Sequence, residues 1–217
     1  QTAILPFLNG MQHIDALSAR FGAARVLGGL AFISATLDDE GIILHLNELH
    51  SLVYGELDGA DSPRMAEIAA AFAGANFDAR ASHTIVHELW EKWVFIASLA
   101  GVTCLMRAVG GDVERAGAAD LALEIFAECS AIAASQGHPP RPAAVERGRA
   151  MVTTPGSMLT ASMMKDIERG APIEGEQIIG DLLARGNAAG VKSPLLRVVH
   201  AHLRSYEARR ERENAKQ

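Results

Sequence analysis

HELWEKWVFIASLAGVTCLM occupies residues 87–106, and its reading decides the fold. After Lys92 come fourteen residues, 93–106, with no charge at all. A run of that length is too short to span a bilayer and reads as a core helix. Residues three, four and seven beyond Lys92 share its helical face, and they are Phe95, Ile96 and Leu99. An ammonium therefore heads an apolar column. The bland explanation is a solvated pair with Glu88, four residues earlier, worth about 0.2–0.5 kcal/mol. A solvated stripe would continue polar, whereas this one turns apolar. Lys92 reads instead as a group on the rim between water and a dry interior, where a lysine can serve as proton donor or anion partner.

Outward from this helix the chain changes character on either side. From Thr84 onward, apolar periodicity predicts helices at 84–108, 119–136, 142–153, 157–169, 173–188 and 194–212, separated by Gly- and Pro-containing breaks. The charged residues 209–217 are expected to fray. Up to about Ser82 the pattern is strand-rich. Residues 3–8 predict a short strand closed by Asn9-Gly10, and 12–21 a helix carrying Ile14, Leu17 and Phe21. Residues 26–37 and 42–53 predict two antiparallel strands around the turn Asp38-Asp39-Glu40-Gly41, and Pro63 opens a helix through Phe72. The expectation is the end of an α/β domain, residues 1–82, followed by an all-helical domain, residues 83–217. The chain opens at Gln1 in what reads as a strand, without an initiator methionine, and so reads as a fragment.

Composition narrows the function. With 20 Lys and Arg against 26 Asp and Glu, the chain is mildly acidic and offers no electrostatic footprint for nucleic acid or anionic membrane. Cys104 and Cys129 lie in apolar helical surroundings without metal-ligand spacing, which reads as buried thiols of a reducing compartment and places the protein in the cytoplasm. His83 and His87 sit one helical turn apart, but the HExxH order and a third ligand are lacking, so no metal is expected. Neither G-x-G nor G-x-S-x-G occurs, which removes the dinucleotide fingerprint and the hydrolase elbow. Asn9 follows the 3–8 strand at the end where open α/β sheets bind ligands. Glu174 stands at a helix start, which the helix dipole alone would favour. Ser157 and Ser162 flank the methionine-rich stretch around Met158, Met163 and Met164, which reads as core packing.

Three stretches, ILPFLNGMQHIDAL at 4–17, HELWEKWVF at 87–95 and SMMKDIERGAPIEGEQIIGDLL at 162–183, occur in an order that resembles the ketopantoate reductases (2-dehydropantoate 2-reductases). The resemblance covers nearly the whole chain. It implies the C-terminal portion of a Rossmann-like NADP-binding domain followed by a helical substrate domain. It also implies hydride transfer from NADPH to a 2-oxo acid, ketopantoate to pantoate or a related pair, in a cleft between the domains. By motif, Lys92 resembles the general acid, Glu174 the active-site carboxylate beside cofactor and lysine, Asn9 the asparagine at the nicotinamide end, and Ser162 a contact to the substrate carboxylate. A homodimer through the helical domain would fit as well.

Two departures qualify what the resemblance implies. The Gly-rich phosphate loop lies upstream of Gln1, so the chain as it stands is expected to bind NADPH poorly and to be inactive alone. The family's asparagines after the lysine are replaced by Ile96, Ala100 and Gly110. Loss of those amides removes hydrogen-bond readout and points to a more apolar 2-oxo acid or ketone. The competing reading is a non-catalytic helical dimerisation or interaction domain.

Overall fold

The computed structural model describes residues 2–38 and 40–215, and the chain divides into two compact units, Gln1–Leu89 and Trp90–Gln217. Asp39 of the predicted turn and the chain ends lie outside the described residues.

The first unit is built on a three-stranded sheet. Strands β1 (Leu27–Leu37) and β2 (Ile43–Glu56) pair antiparallel, from Leu27 opposite Glu56 to Leu37 opposite Ile43, with an irregularity between Ile33 and Ala35. The Asp38 carboxylate accepts from the backbone N–H groups of Glu40 and Ile42, which shapes the turn between them. Helix α1 (Gln12–Phe21) precedes this pair, and helix α2 (Pro63–Phe72) follows it. The chain then returns as β3 (Asp78–Ala81), parallel to β2 from Ser51 opposite Asp78 onward. β3 escaped the sequence reading because Asp-Ala-Arg-Ala carries no β-branched or aromatic residue. Residues 3–8 are extended but form no ladder: Ile4 bridges Val26 in parallel, with Leu27 N–H donating to Ile4 O at 2.9 Å. Gly29 is required here, because a Cβ would stand 2.3 Å from Pro6 O. Leu27, Leu52, Tyr54 and Met65 form the core, with Leu5, Ile68 and Phe72 packed against them. Glu56, 7% exposed, is held by Arg64 and Ser62; the guanidinium keeps its carboxyl below the usual range.

The second unit is helical. Helix α3 (Ile85–Met106) starts in the first unit and enters the second at Trp90. By length and composition it could cross a membrane, yet most of it is buried inside the protein, with Trp93, Ala97, Ser98, Thr103 and Cys104 fully enclosed. Ser98 and Thr103 satisfy their hydroxyls by donating to Val94 O and Leu99 O, each at 2.7 Å. α3 stops at Arg107, whose φ of 53° is left-handed, and Ala108 N–H closes back onto Thr103 O.

After it come α4 (Gly110–Arg115), α5 (Ala119–Ser135), α6 (Pro142–Thr153), α7 (Ser162–Glu168), α8 (Asp181–Ala188) and α9 (Pro194–Asn214). Three sequence expectations are corrected. Gly110-Gly111 starts a helix instead of ending one, because residues 157–161 form a loop on it: Gly111 N–H donates to Ser157 O at 2.7 Å and Gly110 N–H to Leu159 O at 2.9 Å. For the same reason the helix expected at 157–169 begins only at Ser162. The charged tail does not fray from Arg209, since α9 runs to Asn214 with Arg209 and Glu213 paired one turn apart. Between α3, α5, α8 and α9 the core contains Trp93, Ile125, Cys129, Ile132, Leu182, Leu196 and Val199, all fully enclosed.

Candidate active site

The backbone of α3 puts Glu88, Glu91, Lys92, Phe95 and Ile96 on a half-buried stripe, while Leu89, Trp90, Trp93 and Val94 turn into the core. Lys92 thus stands where the sequence expects it, at the head of a partly dry column. Burial pulls its pKa down to about 8, and the carboxylate of Glu174 acts in the opposite direction. The Glu174 carboxylate, in the same unit, thus acts electrostatically on Lys92. The other carboxylates nearby on α3 have cationic partners of their own. Glu88 is bound by Arg80 and by Ser82 Oγ, and Glu91 accepts from the backbone N–H and the Nε of Arg141, both at 2.8 Å.

Glu174 sits at an irregular helix start. Its carbonyl accepts from Ile178 N–H at 3.0 Å, and the chain then widens into a π turn, Glu176–Gly180, before α8. The helix expected at 173–188 is thus two kinds of helix. Widened turns are common at functional sites. Here the turn's Ile178 carbonyl accepts the indole N–H of Trp93 at 2.9 Å, in a fully buried hydrogen bond. Trp93 adjoins Lys92, so this bond ties the lysine's helix to the carboxylate's helix at the level of the pair. The sequence reading took Trp93 only as apolar. The available signal was that a buried indole N–H needs a partner.

The remaining expected residues are distributed. Ile96 is half-buried on the Lys92 stripe, Ala100 is 3% exposed and closed into the core, and Gly110 is buried at the start of α4. Ser162 is exposed in the first turn of α7. Its neighbour Ala161 donates through its backbone N–H to Thr103 Oγ1 at 3.4 Å. Thr103 lies about 16 Å along the α3 axis from Lys92, at about 1.5 Å per residue. Glu174 acts electrostatically on Lys92, while the Ala161 N–H next to Ser162 meets α3 some three turns further on. Asn9 belongs to the first unit, half-buried between the extended 3–8 segment and Gly10, whose φ is 79°. No G-x-G turn exists in the chain to seat the pyrophosphate.

His83 is exposed, with Nδ1 3.1 Å from Gly59 O and 3.7 Å from Asp61. Among the described residues no group of three or more His, Cys, Asp or Glu side chains is arranged to hold a metal ion. Cys104 and Cys129 are buried free thiols, each pushed up to about 12 by burial and so kept as thiols rather than nucleophilic thiolates.

Two family models match the chain: the ketopantoate reductase PanE/ApbA C-terminal model over residues 84–207, and the ketopantoate reductase PanE/ApbA model over residues 1–59. The chain belongs to the ketopantoate reductase family. Among its relatives is the uncharacterized oxidoreductase YkpB of Bacillus subtilis, 33% identical over 209 residues, which are 96% of this chain and 69% of that protein. Among solved structures, 2-dehydropantoate 2-reductase from Methylococcus capsulatus superposes with a TM-score of 0.84 at 30% identity, covering 96% of this chain and 71% of that one. A D-mandelate dehydrogenase solved with NADH and anilino(oxo)acetate has a TM-score of 0.83 at 18% identity, covering 97% of this chain and 69% of its own, and shares the fold. The chain spans 69% of the length of YkpB and between 60% and 64% of the length of the curated 2-dehydropantoate 2-reductases it matches. The expected fold class, the end of a Rossmann-like part followed by a helical part, is that of the family.

Proposed function

We propose that this chain carries the carbonyl-protonating half of an NADPH-dependent 2-oxo acid reductase. The observation that supports it best is Lys92: a half-buried lysine, its pKa drawn down to about 8, coupled to the Glu174 carboxylate and heading an apolar stripe. A proton donor works best when its pKa lies near the working pH, and Lys92 meets that condition while most of it still carries the proton at neutral pH. Bound NADPH would supply the hydride to the ketone carbon. Lys92 hydrogen-bonds the ketone oxygen, stabilises the charge that develops there and delivers the proton from Nζ. Glu174 holds the ammonium in its charged form and orients it. Asn9 and Glu174 are the candidate cofactor contacts.

Specificity follows from what lies beyond the lysine. Ile96 offers methyl groups where an amide would offer hydrogen bonds, so the substrate carries an apolar group next to its ketone. Ala100, closed into the core, shapes the floor of that stripe. In a 2-oxo acid the carboxylate is bonded to the ketone carbon, so a Ser162 contact requires that carboxylate to lie toward α7 while the ketone oxygen faces Lys92. The buried thiols suit a reducing cytoplasm, and the helical unit supplies the surface for a homodimer.

The test is NADPH oxidation by the polypeptide with its upstream cofactor-binding residues included, against 2-oxo acids of graded length and polarity, for wild type and Lys92→Ala. A loss of about 10²–10⁴ in kcat at unchanged NADPH affinity supports the assignment. Equal turnover in the two proteins removes Lys92 from the chemistry.

A further inference from the structure

Glu174 has no side-chain anchor in its own helix start, yet the backbone that carries it is gripped from outside. Three side chains on one face of α9 reach the segment 170–173 just ahead of it. Glu207 Oε1 accepts from Ile173 N–H at 2.7 Å, Tyr206 Oη donates to Ala171 O at 2.7 Å, and Arg210 Nε donates to Gly170 O at 3.2 Å. Arg210 also bonds Glu207 Oε2 at 3.0 Å, so the carboxylate is itself held in place. Burial pushes the Tyr206 phenol up, which keeps it a donor at any working pH. The next residue but one, Gly175, packs on Leu203 of the same helix, where an added Cβ would already stand 3.4 Å from Leu203 Cβ. A segment containing Gly170 and Pro172 and ending at a π turn has little hydrogen bonding of its own, and these contacts replace it.

We propose that Glu207 is a positioning residue: with Tyr206 and Arg210 it clamps residues 170–173 and so fixes the Glu174 carboxylate within range of Lys92. The inference rests on the reading of Lys92 and Glu174 as the reacting pair. Glu207 touches neither substrate nor cofactor and acts through the backbone of Ile173. Around this corner Glu88 also pairs with Arg80, Glu91 with Arg141, Asp181 with Arg185, and Glu176 with His200 and Arg204 on α9. Glu174 favours the protonated form of Lys92, so its displacement has a readout in the lysine's own titration.

The chain contains four lysines, Lys92, Lys165, Lys192 and Lys216, which makes that readout simple. In ¹⁵N-lysine-labelled protein, the side-chain resonance of Lys92, assigned by its loss in Lys92→Met, is followed from pH 6 to 11. Wild type titrates at about 8. Glu174→Gln moves the midpoint down. Glu207→Ala moves it down to the same point, and Tyr206→Phe moves it down by less. Glu207→Gln, which keeps an acceptor for Ile173 N–H while removing the charge, stays at the wild-type midpoint. A wild-type midpoint in Glu207→Ala, beside a lowered one in Glu174→Gln, overturns the clamp and leaves the pair standing. An unmoved midpoint in Glu174→Gln overturns the pair and the clamp with it. Amide spectra establish that each variant is folded, and Tyr206→Phe, which removes one hydrogen bond and no charge, carries the test if Glu207→Ala is not.

Discussion

The rate of carbonyl reduction should fall above pH 8, and the structure fixes where. In the proposed reaction Lys92 gives its proton away, so only the protonated form would work. With a pKa of about 8, the protonated fraction is about 0.9 at pH 7 and about 0.09 at pH 9. kcat/KM for reduction therefore drops about tenfold between pH 7 and pH 9 and about a hundredfold by pH 10, with a limiting slope of −1. A lysine at its ordinary value of about 10.4 would lose only about a quarter to a third of its protonated form at pH 10. The two cases separate within a single profile. The assay is initial-rate NADPH oxidation at low 2-oxo acid concentration, from pH 6 to 10.5, by the polypeptide carrying its upstream residues; the substrate carboxylate titrates far below this range. The sign reverses for the alcohol-to-ketone direction, where the neutral amine accepts the proton and the rate climbs through pH 8. Glu174→Gln removes the charge that favours the ammonium and displaces the reduction limb to lower pH. A reduction profile flat to pH 9.5 would refute the reasoning, because either burial does not perturb Lys92 or another group supplies the proton.

Two structural predictions accompany it. Trp93→Phe removes the indole N–H from Ile178 O and leaves that carbonyl buried without its donor, which should cost about 1–3 kcal/mol in urea unfolding; a change under about 0.5 kcal/mol would mean the π turn does not depend on this bond. Gly111→Ala places a Cβ 2.5 Å from Ser157 N and 2.6 Å from Gly156 C, backbone atoms that cannot rotate away. It should destabilise by about 1–3 kcal/mol, whereas Gly110→Ala, whose nearest contact would be 3.5 Å, should melt close to wild type; equal melting temperatures for the two variants would contradict the loop-on-helix packing.

What the sequence alone determined is what local periodicity can carry. The uncharged run after Lys92, the β1–β2 pair and the long helices α3, α5, α6 and α9 follow from apolar spacing and from Gly and Pro at the breaks, within a few residues of their observed bounds. Lys92 itself was legible because one charge interrupts a pattern that otherwise turns apolar. Other features depend on partners distant in sequence. β3 exists because β2 offers it an edge, and α4 exists because residues 157–161 fold over two glycines that locally read as a break. The π turn was hidden too, since its Ile178 carbonyl is satisfied by Trp93, 85 residues away. The carboxylate beside the lysine is the strongest case. Glu174 at a helix start is unremarkable by the dipole alone, and only the packed helical unit puts its charge near Lys92 and the grip of Glu207, 34 residues from Ile173, behind it. Spacing along a chain reports which face a residue occupies; which two faces meet is settled by close packing of the core, and the proton affinity of Lys92 is a property of that meeting.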